Sequence, residues 1–145
     1  MIKRKGNLFD TTAKAVGHGV NTEGVMGSGI AVEFKNRFPK NYQAYRNACL
    51  TGLFQPGEAF VYVEDGMTIA NIASQKHPGP NAAYSWLLTA SVDAALNLMD
   101  FHHIDTLAIP LIGCGIGGLE WPAVEYVLRA VEIIVPNFEF EVWRL

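Results

Sequence analysis

The stretch Leu107–Trp121, which reads LAIPLIGCGIGGLEW, decides the fold prediction for this chain. It begins with an apolar run typical of a buried strand and ends by opening a second apolar segment. Between the two, four of the six residues in GCGIGG are glycine. Glycine inside a regular element costs stability, so a cluster at a strand end indicates that something approaches the backbone closely. The stretch therefore predicts a strand, a loop that exposes its backbone, and a helix.

A second junction of this kind lies early in the chain, where Gly24–Ile30 reads GVMGSGI. It follows a predicted strand and leads into the predicted helix Ser28–Phe38, for which Ser28 is the expected N-cap. Backbone N–H groups at two such junctions, reinforced by helix dipoles, form an anion site without lysine or arginine. Two facing loops of this design suit a diphosphate.

The rest of the chain alternates between strand-like and helix-like apolar periods. The predicted strands are Ile2–Lys5, Ala13–Val20, Ala59–Val63, Thr68–Ala73, Thr106–Leu111 and Phe138–Trp143. The predicted helices are Ser28–Phe38, Lys40–Leu50, Ala83–His102 and Trp121–Val135. The third helix is expected to turn inward a face that carries Tyr84, Leu88, Ser91, Ala95 and Leu98.

This alternation predicts one domain over residues 1–145, with an α/β layered fold and a largely parallel or mixed central sheet. In such sheets ligands bind beyond the carboxyl ends of the strands. Both glycine junctions and the segment NIASQKHPGP, which follows the fourth strand, fall at those ends. We therefore expect the three segments to converge on one rim.

Composition excludes several classes of protein. Half of the residues are hydrophobic and 17% are charged, as in a globular protein with a sizeable core. The net charge of −3 provides no broad nucleic-acid-binding surface, although a nucleic-acid end could still enter a local pocket. The two cysteines, Cys49 and Cys114, lie far apart without ligand spacing, so neither a zinc site nor a disulfide framework is indicated. No cofactor is expected. No signal peptide and no membrane-length apolar run is recognised, which favours a cytoplasmic protein.

The loop Gly113–Gly118 also matches the dinucleotide-binding pattern GxGxxG. Only 27 residues follow Gly118, too few for a second nucleotide-binding half, so a dehydrogenase is disfavoured. A P-loop is excluded because no GxxxxGK[ST] is present. An ordinary tight turn is the remaining alternative for this loop taken alone.

Four segments, KGNLFD, NTEGVMGSGIAVEFKNRFP, NIASQKHPGP and IPLIGCGIGGLEW, resemble the macro domain family in its own order. Within the family they resemble the branch that processes ADP-ribose 1″-phosphate and ADP-ribosyl adducts, and the resemblance covers nearly the whole chain. It implies a three-layer α/β/α sandwich with a mixed central sheet. It also implies hydrolysis of ADP-ribose 1″-phosphate, or removal of ADP-ribosyl groups from a protein or nucleic acid. The alternative is a non-catalytic domain that binds or sequesters ADP-ribose.

The resemblance also implies ligand-binding positions. Asn7, where the family usually has aspartate, and the backbone of Leu8 would lie near the adenine, with Trp143 beside it unless that ring is a core tryptophan. The loop around the distal ribose and diphosphate would be Gly24, Val25, Met26, Gly27, Ser28, Gly29 and Ile30. The facing diphosphate loop would be Ile112, Gly113, Cys114, Gly115, Ile116, Gly117 and Gly118.

The catalytic candidates are Asn21, Gln75, Lys76 and His18. Asn21 matches a distal-ribose asparagine of hydrolytic members, and its amide can bind a hydroxyl or orient water. His18 either points into the cleft or is a hydrogen-bonded core histidine.

Relatives that use a lysine adduct carry that lysine where this chain has Gln75, one residue before Lys76. Some of those relatives carry an acid where this chain has Gly117. The SQ pair instead resembles phage and bacterial members with TQ at this point. Glu23 is the one carboxylate in the distal-ribose loop. The sequence has no metal-ligand set and no nucleophile–His–acid constellation. If the domain is an enzyme, we expect substrate-assisted hydrolysis, in which water held by Asn21 and the α-phosphate attacks the distal ribose C1″ or its phosphate.

Overall fold

A six-stranded mixed sheet organises the chain, and the computed structural model describes all residues 1–145. The strands are β1 (Ile2–Lys5), β2 (Ala15–Val20), β3 (Ala59–Glu64), β4 (Met67–Ala73), β5 (Thr106–Ile109) and β6 (Glu139–Arg144). The helices are α1 (Ile30–Arg37), α2 (Pro39–Leu50), α3 (Tyr84–His102) and α4 (Trp121–Ile134), with one short 3₁₀ turn at Leu8–Asp10.

The strand order is β1-β6-β5-β2-β4-β3, and every neighbouring pair is parallel except β3 and β4. That hairpin turns through Asp65 and Gly66, both with positive φ, as the EDG sequence predicts. The carboxyl ends of β2, β4, β5 and β6 consequently lie along one edge of the sheet. This edge positions the site.

Helices cover both faces of the sheet. Because side chains alternate along a strand, Ala70 and Ile72 of β4 join the core beneath α3 and α4, whereas Ile69 and Ala73 join two smaller cores beneath α1 and α2. The predicted three-layer α/β/α sandwich with a mixed sheet is thereby confirmed. None of the helices combines the length and the apolar character that crossing a membrane requires.

One local prediction is wrong, and another holds for three of its five residues, Ser91, Ala95 and Leu98. Helix α1 begins at Ile30, and its N-cap is Gly29, at φ 61° and without a side-chain cap bond, so Ser28 is not the cap. A positive φ suits glycine far better than serine, which moves the N-cap one residue onward, from Ser28 to Gly29. In α3 the inward face carries Leu87, Ala90, Ser91, Ala94, Ala95 and Leu98, while Tyr84 is exposed and Leu88 is half-buried. Small residues dominate this face because α3 packs on the sheet and on α4 together.

Candidate functional site

A cleft of about 310 Å³ opens beyond the carboxyl ends of β2, β4 and β5. Its walls come from the three segments that the sequence predicts to converge, within residues 19–31, 74–79 and 110–117. Lining residues are Gly19, Val20, Asn21, Val25, Gly27, Ser28, Gly29, Ile30, Ala31, Ser74, Gln75, Pro78, Gly79, Pro110, Leu111, Ile112, Gly113, Gly115, Ile116 and Gly117. Strand β5 ends at Ile109 because Pro110 cannot donate to the ladder, which releases the chain into the glycine loop.

Both glycine loops present backbone N–H groups that have no acceptor within the protein. In the later loop these are the amides of Gly115, Ile116 and Gly117, while Gly118 and Leu119 donate back to the loop itself. In the earlier loop the amides of Gly27, Ser28 and Gly29 are similarly unbonded, at the N-terminal end of α1. Amides of this kind, reinforced by a helix dipole, bind anions without a cationic side chain.

Asn21 shapes the earlier loop. Its Oδ1 accepts from the amides of Glu23 and Val25 at 3.1 and 3.3 Å and lies 3.1 Å from the Tyr45 hydroxyl. Its Nδ2 donates to the Val25 carbonyl at 2.9 Å. These bonds fix the orientation of the amide, since a flipped amide would set NH₂ against two N–H donors. One N–H remains available to a ligand, so Asn21 can donate to a ribose oxygen or a water but cannot act as a base.

Tyr45 supports Asn21 from beneath. Its hydroxyl donates to the Asn21 backbone carbonyl at 2.8 Å and shares that proton with Oδ1 of the same residue. Burial raises the pKa of Tyr45 far above its ordinary value, so the hydroxyl stays protonated. Tyr45 lies in α2, a helix that the sequence predicts without assigning it any part in the site.

Gln75 and Gly117 lie next to each other in the wall of the cleft, where the loops after β4 and β5 meet. Gln75 Nε2 donates to the carbonyls of His77 and Gly79 at 2.6 and 2.9 Å, which closes the loop after β4. A Cβ added at Gly117 would lie 2.8 Å from the Gly113 carbonyl oxygen, 3.0 Å from Ala82 Cβ and 3.2 Å from Gln75 Oε1. An acidic side chain at position 117 therefore does not fit this backbone.

Lys76 and its neighbours form the outer rim rather than the wall of the cleft. The Lys76 carbonyl accepts from the Thr22 amide at 3.1 Å, and its side chain does not line the cleft. Beside it, His77 Nδ1 and Glu23 Oε2 are 2.5 Å apart, joining the loops after β2 and β4 at the surface. The catalytic assignment of Lys76 finds no support in this placement.

His18 is a core histidine. It is fully buried, its Nε2 lies 2.9 Å from Asn71 Oδ1, and its ring stacks on Phe34 at 3.8 Å between centroids. Burial lowers the pKa of His18 to about 4. Of the two orientations expected for His18, the structure has the hydrogen-bonded core histidine, because alternation along β2 turns it toward α1 and Gly19 toward the cleft; its place among the catalytic candidates is therefore wrong.

The residues expected near an adenine lie outside the lined cleft. Asn7 Oδ1 accepts from the Phe9 amide and caps the 3₁₀ turn, and the Leu8 side chain is buried while its amide is unbonded. Trp143 is half-buried and donates from Nε1 to Glu141 Oε1 at 2.6 Å. Their contact with a ligand stays a prediction.

Four other predicted loop residues also lie behind the lining. Gly24 packs on Arg46 and Cys49, and Gly118 packs on Pro80. The side chain of Met26 is buried in the core beneath α2, and the Cys114 thiol faces the Ile112 carbonyl at 3.5 Å. These residues shape the two loops rather than face the cleft.

No ionisable side chain lines the cleft, whose polar side chains are Asn21, Ser28, Ser74 and Gln75. Ser74 is the residue that sequence reasoning missed, although it lies within the NIASQKHPGP segment. No pattern in one sequence distinguishes a serine whose hydroxyl faces a cleft from one that faces solvent. No cluster of three His, Cys, Asp or Glu side chains is positioned to hold a metal ion.

Comparison with known proteins identifies relatives along the chain. A family model for the macro domain matches residues 18–128. A DNA ADP-ribosyl glycohydrolase of Thermus aquaticus is 35% identical over 143 residues, which cover 96% of this chain and 39% of that protein. An ADP-ribose 1''-phosphate phosphatase of Candida albicans is 26% identical, and the match covers 96% of each chain.

Among solved structures, the macrodomain of Mycobacterium tuberculosis DarG superposes with a TM-score of 0.88 at 30% identity, covering 100% of this chain and 98% of that one. This chain therefore spans much less than half of the Thermus glycohydrolase but nearly all of the DarG macrodomain structure. The matched family model extends from within β2 into α4, across both glycine loops that wall the cleft. The chain belongs to the macro domain family.

Proposed function

We propose that this domain binds ADP-ribose in the cleft and hydrolyses the bond that joins its distal ribose to DNA. The observation that carries the proposal is the pair of facing glycine loops with unbonded amides, which suit a diphosphate. The DNA ADP-ribosyl glycohydrolase of Thermus aquaticus is similar over 96% of this chain, which supports DNA as the carrier.

The chemistry follows from what the cleft contains. With no ionisable side chain in the lining, the loops hold the diphosphate and the Asn21 N–H orients a water beside the distal ribose. That water attacks C1″, the bond from C1″ to the DNA breaks with its electron pair going to the DNA atom, and the proton lost by the water is relayed through a phosphate oxygen of the substrate to that atom. The rate enhancement comes from positioning and from amide electrostatics in a shielded cleft.

A basic cluster at the edge of the sheet supports a nucleic acid as the molecule to which the ADP-ribosyl group is attached. A cavity of about 350 Å³ is lined by Lys3, Arg4, Lys5, Trp121, Val142 and Arg144. Lys5 and Arg144 end strands β1 and β6, so they lie at the same edge of the sheet as the cleft. Basic groups attract a phosphate backbone, while the aromatic ring beside them, that of Trp121, is half-buried against the core. Lys3 and Lys5 also lie on the edge strand β1, where charged side chains oppose pairing with a strand of another molecule.

Turnover assays test the proposal. A single-stranded oligonucleotide carrying one ADP-ribosyl group should release free ADP-ribose. Asn21→Ala should lose turnover by a much larger factor than it loses affinity for ADP-ribose, the loss of affinity following from the loop amides that Asn21 holds. Lys5→Glu with Arg144→Glu should raise KM for the oligonucleotide and leave affinity for free ADP-ribose unchanged. Binding of ADP-ribose without release from the oligonucleotide would overturn the hydrolase assignment and favour a reader or sequestering domain.

ADP-ribose 1″-phosphate is the second candidate substrate. The Candida albicans phosphatase matches this chain over 96% of each length, which favours an activity that needs no further domain. Phosphate release from ADP-ribose 1″-phosphate should be at least tenfold slower, by kcat/KM, than release from the oligonucleotide. The reverse order would transfer the proposal to the small-molecule substrate.

A further inference from the structure

The outward side of helix α4 carries large apolar side chains that no other part of the chain covers. Tyr126, Ile133 and Ile134 are 78%, 79% and 55% exposed. Together they leave on the order of 400 Å² of apolar surface in solvent, as much as the largest patch on a typical monomer. A patch of this size indicates a docking surface rather than scattered exposure.

Four residues on this side of the helix form a regular stripe, which we call the α4 stripe. It consists of Ala123, Tyr126, Ala130 and Ile133, which are separated by three, four and three residues. This is the spacing at which one helix packs against a second helix. Along the stripe a small side chain alternates with a large one, so the stripe has its own pattern of knobs and gaps.

The α4 stripe is complementary to itself when two copies of the helix run antiparallel. The pairs Ala123–Ile133 and Tyr126–Ala130 are both centred on position 128. A twofold axis at that level therefore sets each large side chain of one copy against an alanine of the other. A parallel pair would set tyrosine against tyrosine and leave the alanines facing a gap. The pattern of side-chain sizes therefore favours a second copy of this chain, in antiparallel orientation.

The charges beside the stripe suit the same arrangement. Arg129 Nε donates to Glu125 Oε2 of the same helix at 3.2 Å. In the antiparallel pair, Arg129 of one copy lies two residues from the level of Glu125 of the other, about 3 Å along the axis. Each guanidinium then has a carboxylate of both copies within reach. Parallel pairing would instead bring the two Arg129 groups to the same level, where like charges repel.

The area of this surface sets the strength of the association. Apposing two copies buries on the order of 1,000 Å² once the alanines, Pro122 and Val127 are included, which is the lower limit for a specific interface. We therefore expect a dissociation constant of about 10 to 100 µM.

This pairing leaves the cleft open in both copies. Helix α4 begins after the later glycine loop, at the edge of the sheet that carries the cleft, and none of its residues lines the cleft. Antiparallel α4 helices therefore place the two clefts at opposite ends of the pair.

We propose that a second copy of this chain covers the α4 stripe, so that the protein forms a weak twofold dimer through antiparallel α4 helices. Sedimentation velocity from about 2 to 400 µM spans the expected dissociation constant. The weight-average mass should rise over this range from that of one chain toward that of two. Ile133→Glu, which places a charge in the stripe at an exposed position, should keep the chain monomeric throughout.

An exchange of side chains within the stripe tests the orientation. Tyr126→Ala opens a gap and Ala130→Tyr sets two tyrosines against each other, so each should weaken dimerisation at least about tenfold. The double variant Tyr126→Ala, Ala130→Tyr again sets large against small. It should return the dissociation constant to within about threefold of wild type, since complementary changes in contacting residues are not additive.

Leu53→Glu is the matched control. Leu53 is 80% exposed, as much as Ile133, and lies between α2 and β3, outside the stripe. Its replacement removes similar apolar exposure and should leave the dissociation constant unchanged. Far-UV circular dichroism checks that each variant retains the fold.

The outcomes are distinct. A wild-type chain that stays monomeric up to the highest concentration overturns the proposal and leaves the face to a different protein. Equal weakening by Leu53→Glu and Ile133→Glu would also overturn it, because the association would then be non-specific. If Ile133→Glu abolishes the dimer but the folded double variant recovers no affinity, the antiparallel pairing is wrong.

Discussion

Acidification should destabilise this protein through His18 in a way that a single substitution abolishes. The ring is fully buried with a pKa of about 4, whereas in the unfolded chain a histidine titrates near its ordinary value of 6.5. The unfolded state therefore binds the proton first, and stability is complete above pH 6.5 and falls as the pH drops toward 4. The total loss from this residue is about 3 kcal/mol, of which about 2 kcal/mol is lost by pH 5.

Urea unfolding at pH 7.5 and pH 5 measures this contribution. In His18→Gln the site carries an amide that does not titrate and can still reach Asn71, so the absolute stability drops but its acid dependence shrinks. The free energy of unfolding should fall about 2 kcal/mol further in the wild type than in the variant between the two pH values. Equal losses in both proteins would refute the reasoning, because they would show that the histidine keeps its ordinary pKa in the folded state.

Three further predictions concern the site. The value of kcat for ADP-ribosyl hydrolysis should stay constant from pH 6.5 to 9 in a stopped assay, because no titratable side chain lines the cleft. A pH-dependent change in kcat that disappears in His77→Gln would instead assign the outer rim a catalytic role. The double variant Gln75→Lys, Gly117→Asp should bind ADP-ribose at least tenfold more weakly by calorimetry and gain no lysine-adduct activity, because the new side chain meets the Gly113 carbonyl; restored or faster turnover would contradict this. Tyr45→Phe should lower the free energy of unfolding by about 1–2 kcal/mol and speed hydrogen exchange of the Val25 amide, since the hydroxyl holds Asn21; unchanged exchange would show that Asn21 holds the loop alone.

The fold was predictable because its signals are local and repeated. Each element boundary has a local signal: the EDG turn, the glycine after a strand or the proline at a helix start. The alternation of strands and helices then predicts the layers. Strand order places the ends of β2, β4 and β5 together, so the position of the cleft followed from topology. These inferences need only the chain direction and the period of its apolar residues.

The roles of individual side chains were less predictable because they depend on neighbours distant in sequence. His18 became a core residue through Asn71 and Phe34, on β4 and α1, and the sequence alone leaves both orientations open. Ser74 became a cleft residue because Gly19 leaves it space across two strands. The glycine at position 117 already indicates that this loop supplies no catalytic acid. The physical reason, a carbonyl oxygen 2.8 Å from the position of an added Cβ, is visible only in three dimensions.

The cleft has a consequence for folding, because its walls come from three separate segments, within residues 19–31, 74–79 and 110–117. No single stretch of chain contains enough of the site to hold a ligand, and the parallel pairing of β2 with β4 and β5 must precede it. Such long-range pairing is slow to form compared with local helices. A ligand that needs all three segments binds only after the sheet is complete, so it raises the melting temperature of the whole domain and acts late in folding.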